Sequence, residues 1–301
     1  MRKQMCIIFS AVLIPGLLVV SGCGGTETKT VSPKKSVVDI ARTRKVQVDD
    51  IEMAYKSTGK GYPLMMIMGF SGTMDLWDPQ FVEELASKYR VIMFDNRGMG
   101  ETTAGSKEFT IARFAEDTAG LMKALGIGKA HVLGWSMGGD VALEFVVRYQ
   151  QMVEKLVVYA GDCGGTQRVM TPEVTREIKE MANPSVPPEE AFKVLFPEEW
   201  MKAHPDFYKS FPRPKETSSP ENVERQGTAY LAWTGVFDQL PEVTSPTLIA
   251  TGTEDISTPT ENAMILTERI PGSWLVRYKG AGHGLMYQYP EEFAKTVLNF
   301  L

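Results

Sequence analysis

Short apolar runs without polar alternation recur along this chain of 301 residues, and they constrain its fold more than any other feature. Such runs are typical of strands that are covered on both faces. Segments with helical periodicity lie between them, and strands that alternate with helices predict an α/β fold with a doubly wound, mostly parallel sheet. The runs lie at residues 63–68, 90–95, 130–135, 155–160, 247–252 and 274–278.

The segments between these runs carry signals for the start and the end of helices. Thr110 is a predicted N-cap, and Gly126 is the predicted stop of the same helix. The last helix is predicted to begin with Pro290 at its first position. Two alternating strands, at 46–48 and 51–56, precede the first buried run.

One interval, residues 164–240, interrupts this rhythm. It contains no buried-strand run, and prolines separate short helical pieces, so we predict a helical cap inserted into a core of residues 45–163 and 241–301. Large apolar side chains are frequent in the interval; we expect most to pack within the cap and some to face a site beneath it. They are Phe192, Phe196, Trp200, Phe207, Tyr208, Phe211, Tyr230, Trp233 and Phe237.

The first residues do not belong to that core. Residues 1–22 combine two basic residues, an apolar run and a small-residue end, which is typical of a signal peptide. The following Cys23 completes a Val-Ser-Gly-Cys stretch that resembles a bacterial lipobox, which implies that Cys23 is acylated after cleavage. An ordinary secretory peptide with a chance cysteine is the alternative. Residues 23–44 are small and polar and predict a flexible tether.

Acylation of Cys23 implies an exported protein, anchored by lipid on the outer side of a bacterial cytoplasmic membrane or in the periplasm. The net charge of −5 argues against nucleic acid, so the expected partners are a membrane, through the lipid, and a small-molecule substrate. Cys6 leaves with the signal peptide and Cys163 then has no partner, so we expect no internal disulfide. The three histidines lack ligand spacing, and we expect no metal site.

The stretch HVLGWSMGGDVALEF, residues 131–145, places Ser136 between Gly134 and Gly138. A serine at the end of a strand exposes its hydroxyl only where the chain turns sharply into a helix, and side chains at the flanking positions would collide. The turn also leaves the Met137 N–H at a helix N-terminus, where it favours a developing negative charge. The glycine and serine spacing alone is weak, and the adjoining strand and helix make it specific.

A serine needs a base and an orienting carboxylate to act as a nucleophile. His283 lies in a glycine-rich loop after the final strand and is the predicted base, with His204 in the cap as the alternative. Asp255 is the predicted acid, because it follows the strand at 247–252, at the end where open α/β sheets assemble their sites. Asp162 is the alternative carboxylate.

These features resemble the α/β-hydrolase superfamily, in particular its capped lactonase, esterase and cofactor-free haloperoxidase-like members. The resemblance covers residues 45–301 and rests on the motifs MGFSG, DNRGMGET, GWSMGG, GTEDISTP and AGHG. It implies the α/β-hydrolase fold, no cofactor, a structural turn at 95–100, and the Phe70 N–H as an oxyanion donor beside Met137. Met68 stands where the family usually has a histidine, which puts the rigidity of that loop in question.

A serine nucleophile with these partners predicts hydrolysis of an ester-type bond, a carboxylic ester or a lactone, through an acyl-enzyme. The apolar cap favours a small to medium, partly apolar substrate. Thioesters and carbon–carbon bonds stay open as further substrate classes. A lipoprotein that binds a ligand on the same fold, with slow turnover or none, is the alternative function.

Overall fold

Parallel pairing dominates the sheet in this computed structural model, which describes residues 41–172, 174 and 188–301. The strands are β1 (Arg44–Val48), β2 (Ile51–Thr58), β3 (Pro63–Ile67), β4 (Arg90–Phe94), β5 (Ala130–Trp135), β6 (Val153–Tyr159), β7 (Thr247–Gly252) and β8 (Trp274–Tyr278). They form one eight-stranded sheet in the order β1-β2-β4-β3-β5-β6-β7-β8. β2 pairs antiparallel with β1 and β4, and the other pairs are parallel. The predicted doubly wound, mostly parallel sheet is confirmed.

The winding of the sheet changes direction at β3. β4 pairs with one side of β3 and β5 with the other, both in parallel. In open α/β sheets, ligands bind at such a switch point, outside the carboxyl ends of the strands. The loops after β3 and β5 therefore start side by side, where Ile67 pairs with Gly134.

Helices cover both faces of the sheet and divide the core into two layers. They are α1 (Pro79–Ala86), α2 (Ile111–Ala124), α3 (Met137–Arg148), α4 (Pro188–Leu195), α5 (Glu198–Ala203), α6 (Pro220–Ala232), α7 (Thr260–Arg269), α8 (Leu285–Gln288) and α9 (Pro290–Phe300). Alternate residues of β3 enter different layers, as the pleat requires. Met65 and Ile67 share a layer with α2, α3 and α7, whereas Leu64 and Met66 share one with α1 and α9.

The predicted helix signals are confirmed at α2 and α9. The Thr110 hydroxyl oxygen caps α2 by accepting the Arg113 N–H at 2.9 Å. Gly126 follows the last turn of α2 with a φ of 69°, the left-handed conformation that glycine adopts without steric cost. Pro290 is the first residue of α9.

The described residues between β6 and β7 form the helices α4, α5 and α6 and no strand. Phe196 is only 2% exposed, and its ring centroid lies 4.9 Å from that of Trp200 and 5.0 Å from that of Phe207. Part of the aromatic set is therefore core of the cap itself. The bounds of the cap stay a prediction, and Pro184 and Pro187 lie outside the described residues.

The predicted signal peptide, Cys23 and most of the predicted tether also lie outside the described residues. The tether is predicted to run to residue 44, whereas Arg44 is already the first residue of β1. Among residues 41–172, 174 and 188–301, no helix is long and apolar enough to cross a membrane.

The burial predicted for one strand is wrong. The run at 274–278 does form β8, but it is not covered on both faces. β8 lies at the edge of the sheet, pairs only with β7, and leaves Trp274 59% exposed. Strand order decides which strand lies at the edge, and a single apolar run carries no information about strand order.

Candidate active site

Ser136 is the single residue between β5 and α3, where the chain turns sharply from strand to helix. Its φ of 57° and ψ of −130° lie in a region that L-residues rarely adopt. A Cβ added to Gly134 would lie 2.1 Å from the Gly138 carbonyl oxygen, and one added to Gly138 would lie 2.1 Å from the Ile67 carbonyl oxygen. The predicted collisions at both flanking positions are confirmed, so the turn requires glycine at each.

The predicted oxyanion donors, Met137 and Phe70, line the same cavity as Ser136. Neither backbone N–H has a hydrogen-bond acceptor among the described residues. The loop after β3 runs close to the serine, because a Cβ added to Gly69 would lie 3.0 Å from Ser136 Cβ and 3.6 Å from Ser136 Oγ. Two unpaired donors are thus held near the hydroxyl, as the stabilisation of an oxyanion requires.

The structure brings His283 and Asp255 together, although 28 positions separate them. His283 Nδ1 lies 2.9 Å from Asp255 Oδ2 and 3.1 Å from Oδ1. Asp255 Oδ1 also accepts the N–H groups of Ser257 at 2.9 Å and Thr258 at 2.8 Å. The carboxylate assigns the proton to Nδ1 and leaves Nε2 as the basic nitrogen.

His283 and Ser136 line the same cavity, and in this structure no hydrogen bond joins their side chains. The backbone of His283 is firmly held: the Trp135 indole N–H and the Tyr159 hydroxyl donate to its carbonyl oxygen at 3.1 and 2.6 Å. Burial raises the pKa of Tyr159, so its hydroxyl stays a donor. Trp135 and Tyr159 were not identified from the sequence as residues of the site. Their only signal in the sequence is that each is an aromatic residue with a polar group and ends its strand, β5 or β6.

The other two histidines lie elsewhere. His131 is buried at the start of β5, with its ring centroid 4.9 Å from that of Tyr62 and 5.3 Å from that of Tyr89. Burial lowers the pKa of His131 to about 4. His204 is exposed in the cap and stacks on Trp200 with ring centroids 4.4 Å apart. Unlike His283, neither lines the cavity that holds Ser136, so His204 does not fit the role of the alternative base in this arrangement.

Asp162, the alternative carboxylate, forms a separate buried group. It accepts the Gly164 N–H at 2.7 Å and the Tyr230 hydroxyl at 3.2 Å, and its own N–H donates to Asp140 at 2.9 Å. Burial raises the pKa of both Asp140 and Asp162, and the proximity of Asp162 raises that of Asp140 further. Asp162 makes no hydrogen bond to His283, so it does not orient the predicted base.

The turn at 95–100 is tied by its own side chains. Arg97 is fully buried and donates to both carboxylate oxygens of Asp117, at 2.8 and 2.7 Å. It also forms an ion pair with Asp50 at 2.8 Å. Asp95 accepts the N–H groups of Met74 at 2.7 Å and Glu101 at 2.9 Å. These contacts are consistent with the structural role that the family resemblance implies for the turn.

A cavity of about 1180 Å³ lies between the strand ends and the cap. Apolar and aromatic side chains form most of its wall. Lys193 and Arg213 are the charged residues on it beside His283, and no acidic side chain lines it within the described part of the chain. Of the cap aromatics, those on the wall are Phe192, Phe207, Tyr208, Phe211 and Tyr230, whereas Phe196, Trp200, Trp233 and Phe237 are not.

The cavity holds no cluster of metal-ligating side chains. Within residues 41–172, 174 and 188–301, no group of three or more histidine, cysteine, aspartate or glutamate side chains is placed to bind a metal ion. The free Cys163 is buried, and burial raises the pKa of its thiol to about 12.

Residues 62–290 match the alpha/beta hydrolase fold family. A 2-hydroxy-6-oxononadienedioate/2-hydroxy-6-oxononatrienedioate hydrolase of Burkholderia vietnamiensis is 27% identical, with 84% of this chain and 91% of the relative covered. Serine hydrolase BPHL of Homo sapiens is 26% identical, with 85% of each chain covered. A solved thermophilic esterase of Thermogutta terrifontis is 28% identical, with a TM-score of 0.74, and the match covers 86% of this chain and 97% of that one.

These similarities agree with the architecture. The family match spans most of the described residues, and the sheet, its switch point and its flanking helices are those of the solved esterase's fold class. The chain therefore belongs to the alpha/beta hydrolase fold family of enzymes.

Proposed function

We propose that this protein is a serine hydrolase that cleaves a carboxylic ester or a lactone through an acyl-enzyme. One observation carries the proposal. The same cavity is lined by Ser136 at its strained turn, by His283, and by Met137 and Phe70, whose N–H groups are unpaired. The imidazole of His283 is hydrogen-bonded to the buried Asp255. A catalytic serine site is recognised by this geometry. Relatives named as a serine hydrolase and an esterase support the proposal.

In the first half-reaction, His283 Nε2 takes the hydroxyl proton as Ser136 Oγ attacks the substrate carbonyl carbon. The N–H groups of Met137 and Phe70 donate to the carbonyl oxygen as it becomes negative. Asp255 holds the imidazole in position and stabilises the imidazolium. His283 then gives the proton to the leaving oxygen, the carbon–oxygen bond breaks, and the acyl group stays on the serine.

Water completes the reaction by the same route. His283 takes a proton from the water as its oxygen attacks the acyl carbon, and the proton then returns to Ser136 Oγ as the acid leaves. An open-chain ester gives an alcohol and a carboxylic acid, and a lactone gives one hydroxy acid.

The cavity favours a small to medium, partly apolar substrate. Its volume of about 1180 Å³ is slightly larger than that of ordinary ligand pockets, and the cap supplies aromatic surface for an acyl chain or a ring. Each methylene removed from water contributes about 0.8 kcal/mol, which is a factor of about four in kcat/KM while the cavity still has room.

A panel of p-nitrophenyl esters of increasing acyl length, together with several lactones, tests this function. We expect kcat/KM to rise with acyl length before it levels off, and Ser136→Ala to abolish the turnover of every substrate. Equal rates for wild type and Ser136→Ala, or no turnover across the whole panel, would overturn the proposal.

We also propose that the enzyme is exported and lipid-anchored at Cys23, on the outer side of a bacterial cytoplasmic membrane or in the periplasm. The support is the lipobox-like stretch and the polar residues that separate it from β1. Labelling with a radioactive fatty acid in a bacterial host tests the anchor. Label on the wild type and none on Cys23→Ser is expected, and an unlabelled wild type would point to an ordinary secretory peptide.

A further inference from the structure

The loop after β3, residues 69–72, carries the Phe70 N–H and is held by contacts from two distant elements. The Asn96 side-chain N–H donates to the Met68 carbonyl oxygen at 2.9 Å, where the loop begins. The Ser71 N–H donates to Gln226 Oε1 at 2.7 Å, across 155 positions of the chain. The second contact comes from the cap helix α6, so the cap reaches directly into this loop.

One face of α6 contacts three loops at the carboxyl ends of the strands. Asn222, Gln226 and Tyr230 are spaced four residues apart and therefore share a face of the helix. Their partners are the Gly98 carbonyl oxygen after β4 at 3.1 Å, the Ser71 N–H after β3 at 2.7 Å and the Asp162 carboxylate after β6 at 3.2 Å. The contact between Gln226 and Ser71 is the one next to Phe70, whose N–H is a predicted oxyanion donor.

The Gln226 contact has two unfavourable features. The Gln226 side chain is completely buried, and its Nε2 has no hydrogen-bond partner among the described residues, which is costly for an amide. Ser71 has a φ of 57°, which is unusual for a residue other than glycine. The unpaired buried amide and the unusual φ lie at the two ends of the same hydrogen bond, between Gln226 and Ser71. Such local costs persist where the surrounding structure over-determines them, and they cluster at functional sites.

We propose that Gln226 is a positioning residue through which cap helix α6 sets the direction of the Phe70 N–H. The inference rests on the proposed function, since it concerns the oxyanion donors of that reaction. The Gln226 bond fixes the peptide unit that follows Phe70, and this restrains the backbone on which the Phe70 N–H is carried. The placement of cap helix α6 and the direction of the Phe70 N–H are thereby coupled.

The test compares Gln226→Met with Asn222→Ala in the full chain. Met fills the same volume without an acceptor, whereas Asn222→Ala removes a hydrogen bond between the same helix and a different loop. For a p-nitrophenyl ester we expect Gln226→Met to lower kcat by about 10- to 100-fold, with KM changed by less than about threefold. We expect kcat of Asn222→Ala to stay within about threefold of wild type.

A second readout separates oxyanion positioning from general loosening of the cap. The ratio of the rate for an ester to that for its thiono analogue reports how well the donors hold an oxygen rather than a sulfur. We expect this ratio to fall in Gln226→Met and to be unchanged in Asn222→Ala. Thermal unfolding checks that both variants are folded, and Gln226→Asn, whose shorter amide cannot reach Ser71, replaces Gln226→Met if that variant does not fold.

Two results would overturn the inference while leaving the proposed function intact. One is wild-type kcat in the Gln226 variant that folds. The other is an equal loss in the Gln226 and Asn222 variants with an unchanged thiono ratio. Failure of the proposed function looks different. In that case the wild type itself would turn over no ester, and Ser136 would not react with a fluorophosphonate. The inference about Gln226 would then fail together with the proposed function.

Discussion

At the scale of single residues, Ser136 shows how the site depends on an unfavourable backbone. Its φ of 57° and ψ of −130° cost an L-residue about 1–3 kcal/mol. Close packing at Gly134 and Gly138 leaves the chain no easier path between β5 and α3. The strain serves to expose the hydroxyl at the end of the strand.

Replacement of Ser136 by glycine is therefore expected to stabilise the fold. We expect Ser136→Gly to be more stable than Ser136→Ala by about 1 kcal/mol in denaturant unfolding, because glycine adopts positive φ without steric cost. Both variants lack the hydroxyl and are expected to be inactive. A lower stability for Ser136→Gly than for Ser136→Ala would show that the turn is not strained.

His131 provides a pH-dependent contribution to stability at the opposite end of β5. Burial lowers its pKa from 6.5 to about 4, so the unfolded chain binds a proton first as the pH falls. The stability from the neutral imidazole is complete above pH 6.5 and is lost as the pH falls from 6.5 toward about 4. The shift corresponds to roughly 3 kcal/mol.

We expect His131→Phe to lose less stability than wild type between pH 6.5 and pH 4, since phenylalanine keeps the ring packing and takes up no proton. Denaturant unfolding at several pH values measures this difference. His204→Phe, at an exposed position, is the matched control and is expected to follow wild type. Parallel curves for His131→Phe and wild type would refute the assignment.

At the scale of elements, the strand-to-helix unit β5–α3 depends on close backbone contact with β3. A Cβ on Gly138 would lie 2.1 Å from the Ile67 carbonyl oxygen, and backbone atoms cannot move aside as a flexible side chain can. By contrast, a Cβ on Gly128 would meet nothing within 4 Å. The two glycines therefore form a matched pair.

Gly138→Ala is expected to destabilise the fold by about 1–3 kcal/mol and to reduce activity, because it forces α3 away from β3. Gly128→Ala is expected to change stability by less than about 0.5 kcal/mol. Denaturant unfolding of both variants, with an ester assay beside it, is the measurement. Equal stabilities for the two variants would contradict the packing at the turn.

Local signals were enough to predict some elements and not others. Thr110, Gly126 and Pro290 act on their own neighbours, so their roles follow from local sequence. The exposure of Trp274 depends on which strand lies at the sheet edge, and the contact between Gln226 and Ser71 joins positions 155 apart. Neither leaves a local pattern, because strand order and cap docking are properties of the tertiary fold.

At the scale of the whole molecule, the site exists because sheet order gathers distant loops at one edge. Ser136 follows β5, Asp255 follows β7 and His283 follows β8, and these strands are neighbours or near neighbours in the sheet. Parallel strands bring their carboxyl ends to the same edge of the sheet. The meeting of the three residues at that edge could therefore be predicted from the strand ends alone. The cavity shape could not, because it depends on how the cap lies over that edge.

The central claim is that Ser136 is an activated nucleophile, and labelling with a fluorophosphonate followed by mass spectrometry of the peptides tests it most directly. We expect one adduct, on Ser136, with no labelling of Ser136→Ala. We also expect labelling of His283→Ala to be slower by about 100-fold or more, because the base is missing. An unlabelled, folded wild type, or an adduct on another residue, would contradict the claim.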